Sequence, residues 1–250
     1  HIKESKKMIR VLVWNEFQHE KSSETVKKIY PNGIHNAIAD FLRCDDIAVE
    51  TATLDDENCG ITKERLENTD VLIWWGHMAH DKVPDDVVKL VRNAVLAGMG
   101  MIFLHSAHHS KPFRALLGTS CNLTWRESGD SERLWVIEPA HPITRGIDRT
   151  FTLEHEETYG EPFVIPTPDK LLLIGTYTGG EVFRSGCLWE RGNGKIFYLQ
   201  PGHESFPTFY VPEIQTIIRN AVRFVAPTYR EYITCPHVRF ITDAEPYVKD

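Results

Sequence analysis

Groups able to move protons or hold a cation gather in five short segments of this chain. GMIFLHSAHHS, residues 100–110, carries His105, Ser106, His108 and His109. WNEFQHE supplies Asn15, Glu16 and His19, GHMAH supplies His77 and His80, and PGHE supplies His203 and Glu204. LEHEETY adds Glu154, His155, Glu156, Glu157 and Tyr159. Eight of the twelve histidines fall in these segments, which points to one shared site rather than scattered structural roles. Imidazole exchanges protons near neutral pH and, beside carboxylates, ligates divalent metals. Glu157 or Glu204 would orient an imidazole or complete a histidine–carboxylate metal set. His77 and His80 lack the helix and spacing of HExxH, so a zincin is disfavoured.

The elements around these segments explain how they could meet. Met101 to Leu104 is an unbroken apolar run behind Gly100, the pattern of a strand buried on both faces in a parallel sheet. We expect this strand to run to His105. Residues 9–14 and 71–75 read the same way, and 48–54 alternates like a strand nearer an edge. Helices are expected around 22–24 onward, over 34–42, over 62–68 with Thr62 as cap, and over 84–97. The resulting β-α-β-α-β-α-β order implies a parallel sheet with right-handed crossovers. Ligands bind at the carboxyl ends of such strands, which is where the WNEFQHE, GHMAH and HSAHHS segments would emerge.

The second half is less regular. A short helix is expected over 111–117, and 121–125 with 133–137 reads as a small hairpin standing off the main sheet. Strands follow over 171–176, 182–190 and 195–199, the last two joined by an RGNG turn, and a helix over 211–225. LEHEETY reads as a further loop. We expect one domain over 8–226 and a tail, 227–250, that packs on it or on a neighbouring subunit in a homo-oligomer. Residues 1–7 are given no functional weight.

Composition narrows the function. The net charge of −7 argues against a nucleic-acid partner. No apolar run reaches the length of a membrane span, and no signal peptide is recognised. Five cysteines without a CxxC pair suit reduced thiols in the cytoplasm. There is no GxGxxG, no P-loop and no GxSxG elbow. Trp14 and Trp74 read as core. Trp75, at a strand end, and Trp125 and Trp135, in the hairpin, offer flat faces suited to a sugar ring.

Taken in order, VLVWNEFQHE, TDVLIWWG, GMGMIFLHSA, HPITRGI, EETYGEP and GKIFYLQPGHE resemble the ThuA-like (trehalose utilisation) family. The resemblance implies a three-layer α/β/α sandwich with a flavodoxin-like, mostly parallel sheet, as in class I glutamine amidotransferases. It implies a role in disaccharide catabolism, on trehalose-type sugars or their 3-keto derivatives, alongside a sugar-oxidising dehydrogenase. His19, His105, Glu157, Tyr159 and His203 match recurrent polar positions of that family. The wider superfamily carries a cysteine nucleophile after its central strand and a late His-x-Glu pair. Here Ser106 takes the cysteine's place and His203-Glu204 is adjacent, so glutamine hydrolysis through a thioester is not expected.

Our expectation is therefore a hydrolase- or lyase-type enzyme of sugar metabolism. His105, His203, Glu157 and His19 would be its catalytic groups, and Asn15, Glu16, Trp75, His77, Ser106, Tyr159 and Glu204 its substrate contacts. If a divalent metal such as zinc binds, His19, His77, His105 and His203 are its candidate ligands. The competing readings are a non-catalytic sugar- or metal-binding regulator, and an amidase or esterase using Ser106.

Overall fold

The computed structural model describes residues 8–235. Strand β1 (Ile9–Asn15) leads into a one-turn helix α1 (His19–Ser22), then α2 (Glu24–Ile29) and α3 (Ile34–Leu42). Ser23 caps α2 by accepting from the Val26 amide. Next come β2 (Ile47–Thr53), α4 (Lys63–Glu67), β3 (Val71–Trp75), α5 (Asp85–Leu96), β4 (Gly100–Leu104) and α6 (Lys111–Leu117). Thr62 caps α4, as its position before the helix predicts.

Every residue of β3 and β4 is buried. Their unbroken apolar runs fit central parallel strands covered on both faces. β1 pairs parallel with β2 and β3, and β3 with β4. Alternation sorts the side chains between two cores. Trp14, Trp74 and Phe103 pack toward α4, α5 and α6 with Leu66, Val91 and Phe113. Val13, Ile73, Trp75 and Leu104 pack on the other face with Ile34 and Ile38 of α3. Trp14 and Trp74 stack with ring centroids 3.8 Å apart, as core residues.

The second half forms β5 (Thr124–Val136), β6 (Thr150–Gly160), β7 (Lys170–Tyr177), β8 (Val182–Arg191) and β9 (Gly194–Leu199), followed by α7 (Pro212–Val225). β9 inserts parallel beside β4, and the sheet continues antiparallel, giving nine strands in the order β2-β1-β3-β4-β9-β8-β7-β5-β6. The expected hairpin does not stand off the sheet. Its two halves are the ends of one thirteen-residue strand, β5, which pairs with both β6 and β7. Register shifts near Asp130 interrupt its alternation, and that hid the strand in the sequence. LEHEETY likewise is no loop but most of β6.

α7 lies on the same face as α3, with Ile214, Ile217 and Ile218 in the second core. It packs so closely on β4 that a Cβ on Gly100 would collide with the Val225 carbonyl oxygen. The start of the tail lies against the domain: the Arg230 guanidinium donates to the Leu66 and Thr69 carbonyls, and the Glu231 amide to Ala97 O. Residues 236–250 lie outside the described residues. Among the described residues no helix is long and apolar enough to cross a membrane.

Candidate functional site

The carboxyl ends of β1, β3, β4 and β9 meet on one side of the sheet, and β6 runs past them. Two of the expected substrate contacts at the end of β1 instead hold the loops. Asn15 is fully buried; its Nδ2 donates to Glu20 Oε1 at 2.6 Å, and its Oδ1 accepts the amide of Phe17, which has φ 52°. Glu16 accepts the amides of Met78 and Ala79 at 2.8 and 3.0 Å, pinning the loop that carries His77. Trp75, also expected at the substrate, is buried, and its indole N–H donates to Gly202 O at 2.9 Å. All three shape the site from behind.

His105 is not the last residue of β4. It opens the following turn with φ 53°, a left-handed conformation that costs a β-carbon residue about 1–3 kcal/mol. The strained strand-to-helix turn, a geometry that carries nucleophiles in α/β hydrolases, therefore holds His105, with Ser106 directly after it. His105 Nδ1–H donates to Gln200 O at 2.8 Å, and Nε2 lies 2.9 Å from Glu157 Oε2. A carbonyl oxygen faces Nδ1 and a carboxylate faces Nε2, surroundings that favour the charged ring. Burial opposes that charge, but the contact with Glu157, its charge and that of Glu156 raise the imidazole to about 9. Burial pushes Glu157 upward, and His105 outweighs it, holding the carboxyl below its ordinary range. No N–H or O–H is aligned on Glu157 Oε2 for a straight hydrogen bond. The His105 ring stacks on Tyr159, whose hydroxyl lies 3.4 Å from His105 Nε2 and 2.8 Å from Ser106 Oγ.

Glu156, next along β6, is the support that sequence reasoning did not single out. Its carboxylate accepts the amides of Glu157, Gly202 and His203 and the Thr208 hydroxyl, at 2.8 to 3.1 Å. It thereby fixes the loop after β9. Burial pushes its pKa up against those donors and His105. Glu154 and His155, on the exposed part of β6, do not join the site.

On that β9 loop, His203 Nδ1 accepts the Ser205 amide at 3.1 Å, so Nε2 carries the hydrogen; Glu204 Oε1 and Glu127 Oε1 stand 3.7 and 3.8 Å from it, beyond hydrogen-bond distance. Burial and the charge of His105 lower His203 to about 4, leaving it neutral near pH 7. Glu204 sits between two imidazoles, 2.8 Å from His77 Nδ1 and 3.3 Å from His19 Nε2. Burial opposes its ionisation, but His77 and the neighbouring charges bring it down to about 2. His77 stands at the junction, its ring centroid 5.1 Å from His19, 5.9 Å from His105 and 5.3 Å from His203.

A cleft of about 460 Å³ opens over these groups, within the usual size of small-molecule sites. Glu157, Tyr159, Ser106 and His77 reach it; His105 is wholly buried behind Glu157 and Tyr159. His80 and His108 form its far wall. Burial lowers both to about 3, and His108 Nδ1–H donates to Cys121 O. Glu127 and Trp125, which is 65% exposed, stand at the rim; Glu127 was not among the expected residues, because nothing in a polar stretch of β5 marks it. Among the described residues no lysine or arginine lines the cleft. A larger cavity of about 570 Å³ between β2 and α4 holds none of this chemistry, and its arginines are paired, Arg10 with Asp70 and Arg65 with Glu50.

The His105–Glu157 pair has a pH signature. An imidazole raised to about 9 in the fold adds stability that is complete below its unfolded value of about 6.5 and is lost as pH rises through 9. The depressed Glu157 adds stability above its unfolded value of about 4.3, lost as pH falls below it. Thermal-melt midpoints should therefore fall between about pH 6.5 and 9 more steeply in the wild type than in His105→Asn. Parallel profiles would contradict the pairing.

Comparison with known proteins bears on the family and the fold. A family model described as ThuA, trehalose utilisation, matches residues 10–225. A ThuA-like protein from Bacteroides uniformis superposes with a TM-score of 0.64 at 18% identity, over 88% of this chain and 92% of that one. A ThuA-like protein from Parabacteroides merdae gives 0.59 at 14%, over 90% and 93%. A cytoplasmic protein from Salmonella typhimurium gives 0.61 at 11%, over 88% and 100%. At such identities the likeness speaks for the fold. No curated protein matches in sequence.

Proposed function

The chain belongs to the ThuA (trehalose utilisation) family, and from that premise we propose that its cleft processes a neutral trehalose-type disaccharide, or its 3-keto derivative, by acid–base chemistry centred on Glu157. The observation that carries this reading is the joint attachment of Glu157 and the Tyr159–Ser106 pair to one buried imidazole, His105. A proton acceptor and a proton donor thus face the same cleft from a common support.

In a 3-keto disaccharide the ketone acidifies the C–H that lies between it and the glycosidic carbon. Glu157 takes that proton, the electron pair forms the enolate, and the enolate expels the glycosidic oxygen. That oxygen receives a proton from the Ser106 hydroxyl, replenished through Tyr159 from His105. One glycosidic bond breaks and one carbon–carbon double bond forms, with no oxidant required. A depressed carboxyl is a weak base; as His105 gives up its proton along the relay, Glu157 loses its counter-charge and gains basicity. Among the four expected catalytic groups the base is Glu157 rather than His105 or His203, because neither imidazole presents a free lone pair to the cleft. A dehydrogenase that oxidises the disaccharide would supply the ketone.

The lack of lysine and arginine among the described residues of the cleft favours an uncharged sugar over a phosphorylated one, and the exposed Trp125 offers a platform for a pyranose face. The described thiols at 59, 121 and 187 are buried with raised pKa values and none stands at the β4 turn, which counts against a thioester route. Calorimetric titration tests the substrate class: trehalose or 3-keto-trehalose should bind, and trehalose 6-phosphate should bind more weakly. Preference for the phosphorylated sugar would overturn the reading. Binding without turnover would favour the regulator.

A further inference from the structure

We infer that His19, His77 and Glu204 form a zinc site at the edge of the cleft. The three residues leave the ends of three different strands, β1, β3 and β9, yet their ligand atoms lie within 4.8 Å of one another. The two imidazole–carboxylate distances, 2.8 and 3.3 Å, approach the separation of about 3.3 Å between neighbouring ligands on a tetrahedral zinc with bonds near 2.0–2.1 Å. Two histidines and one glutamate make a donor set used by catalytic zinc, with a further position left for water or substrate. His77 lines the cleft, so that position lies beside Glu157.

Two features favour this set. The Glu204 carboxylate is 5% exposed and faces an imidazole on each oxygen, with no lysine or arginine among its partners. The ligand loops are held independently of any metal, the His77 loop by Glu16 and the Glu204 loop by Glu156. Pre-positioned ligands are what a tight site requires.

A second cluster, His77, Glu127, Glu157 and His203, is equally compact. It is the poorer choice. His203 Nδ1 accepts the Ser205 amide, so Nε2 bears a hydrogen and has no lone pair for a metal. Glu127 is 58% exposed, and Glu157 is taken by His105. His105 itself, one of the four histidines expected as ligands, is excluded because acceptors occupy both nitrogens. Of the expected ligands only His19 and His77 remain, joined by Glu204.

The test does not depend on the sugar reading, because it is made without substrate. The full chain is stripped with a chelator, dialysed against Zn²⁺ and assayed for bound metal. One zinc per chain is expected, with a melt midpoint raised by zinc in the wild type. His19→Ala and Glu204→Gln should each weaken binding by about 100-fold or more and abolish the zinc-dependent rise, while His203→Ala and Glu127→Ala bind as the wild type does. Folding of each variant is checked by its chelator-treated melt. Absence of stoichiometric zinc in the wild type overturns the site. So does loss of zinc in His203→Ala and Glu127→Ala with retention in His19→Ala.

Discussion

Replacement of Glu157 by glutamine is expected to lower turnover of a 3-keto disaccharide by about 10²–10⁴-fold, the usual worth of a positioned general base, with little change in sugar affinity. The side chain keeps its shape and its place on β6, and the amide can still meet His105 and a sugar hydroxyl. What it loses is the ability to take a proton. Steady-state rates and calorimetric affinities measured on the same preparations separate the two effects. An unchanged rate would remove Glu157 from the reaction. Equal losses in rate and affinity would make it a binding group.

The largest expected effect on stability is at Glu156. Replacing it with leucine leaves three amide N–H groups and the Thr208 hydroxyl without their acceptor. Each orphaned buried donor costs about 1–3 kcal/mol, some of which water entering the loop would relieve, so a loss of about 3–5 kcal/mol is expected in denaturant unfolding. Glu156→Gln keeps one carbonyl oxygen and sets an NH₂ against the remaining donors, so its loss should be intermediate. The β9 loop holds His203 and Glu204, and both variants should therefore also weaken whatever binds there. A Glu156→Leu protein as stable as the wild type would show that the loop does not hang on this carboxylate.

The parallel half of the sheet was legible in the sequence because burial on both faces leaves a plain mark. VLIWW and GMIFL are apolar throughout, and the helix expected over 84–97 is Asp85–Leu96. The antiparallel half was not. β5 passes through RESGDSE, whose register shifts near Asp130 erase the two-residue alternation, and β6 carries its polar run EHEET within a strand. The site was legible as a set of segments but not in its roles. Glu156 and Glu157 are neighbours of one type, and strand phase alone sends one to the β9 loop and the other to the cleft. Nor could the left-handed turn at His105 be foreseen, since that conformation favours glycine and asparagine. That turn takes His105 out of the cleft and makes it the support of the groups that face it. Asn15, Glu16 and Trp75 sit at strand ends, as expected of contact residues, yet their polar atoms are spent on loops.

The most direct test of the account is to incubate the full chain with 3-keto-trehalose in deuterated water and follow the sugar by proton NMR. Abstraction of the C–H between ketone and glycosidic carbon predicts loss of that signal and release of glucose, both abolished in Glu157→Gln. A sugar that binds to the wild-type protein but keeps both that hydrogen and its glycosidic bond would contradict it.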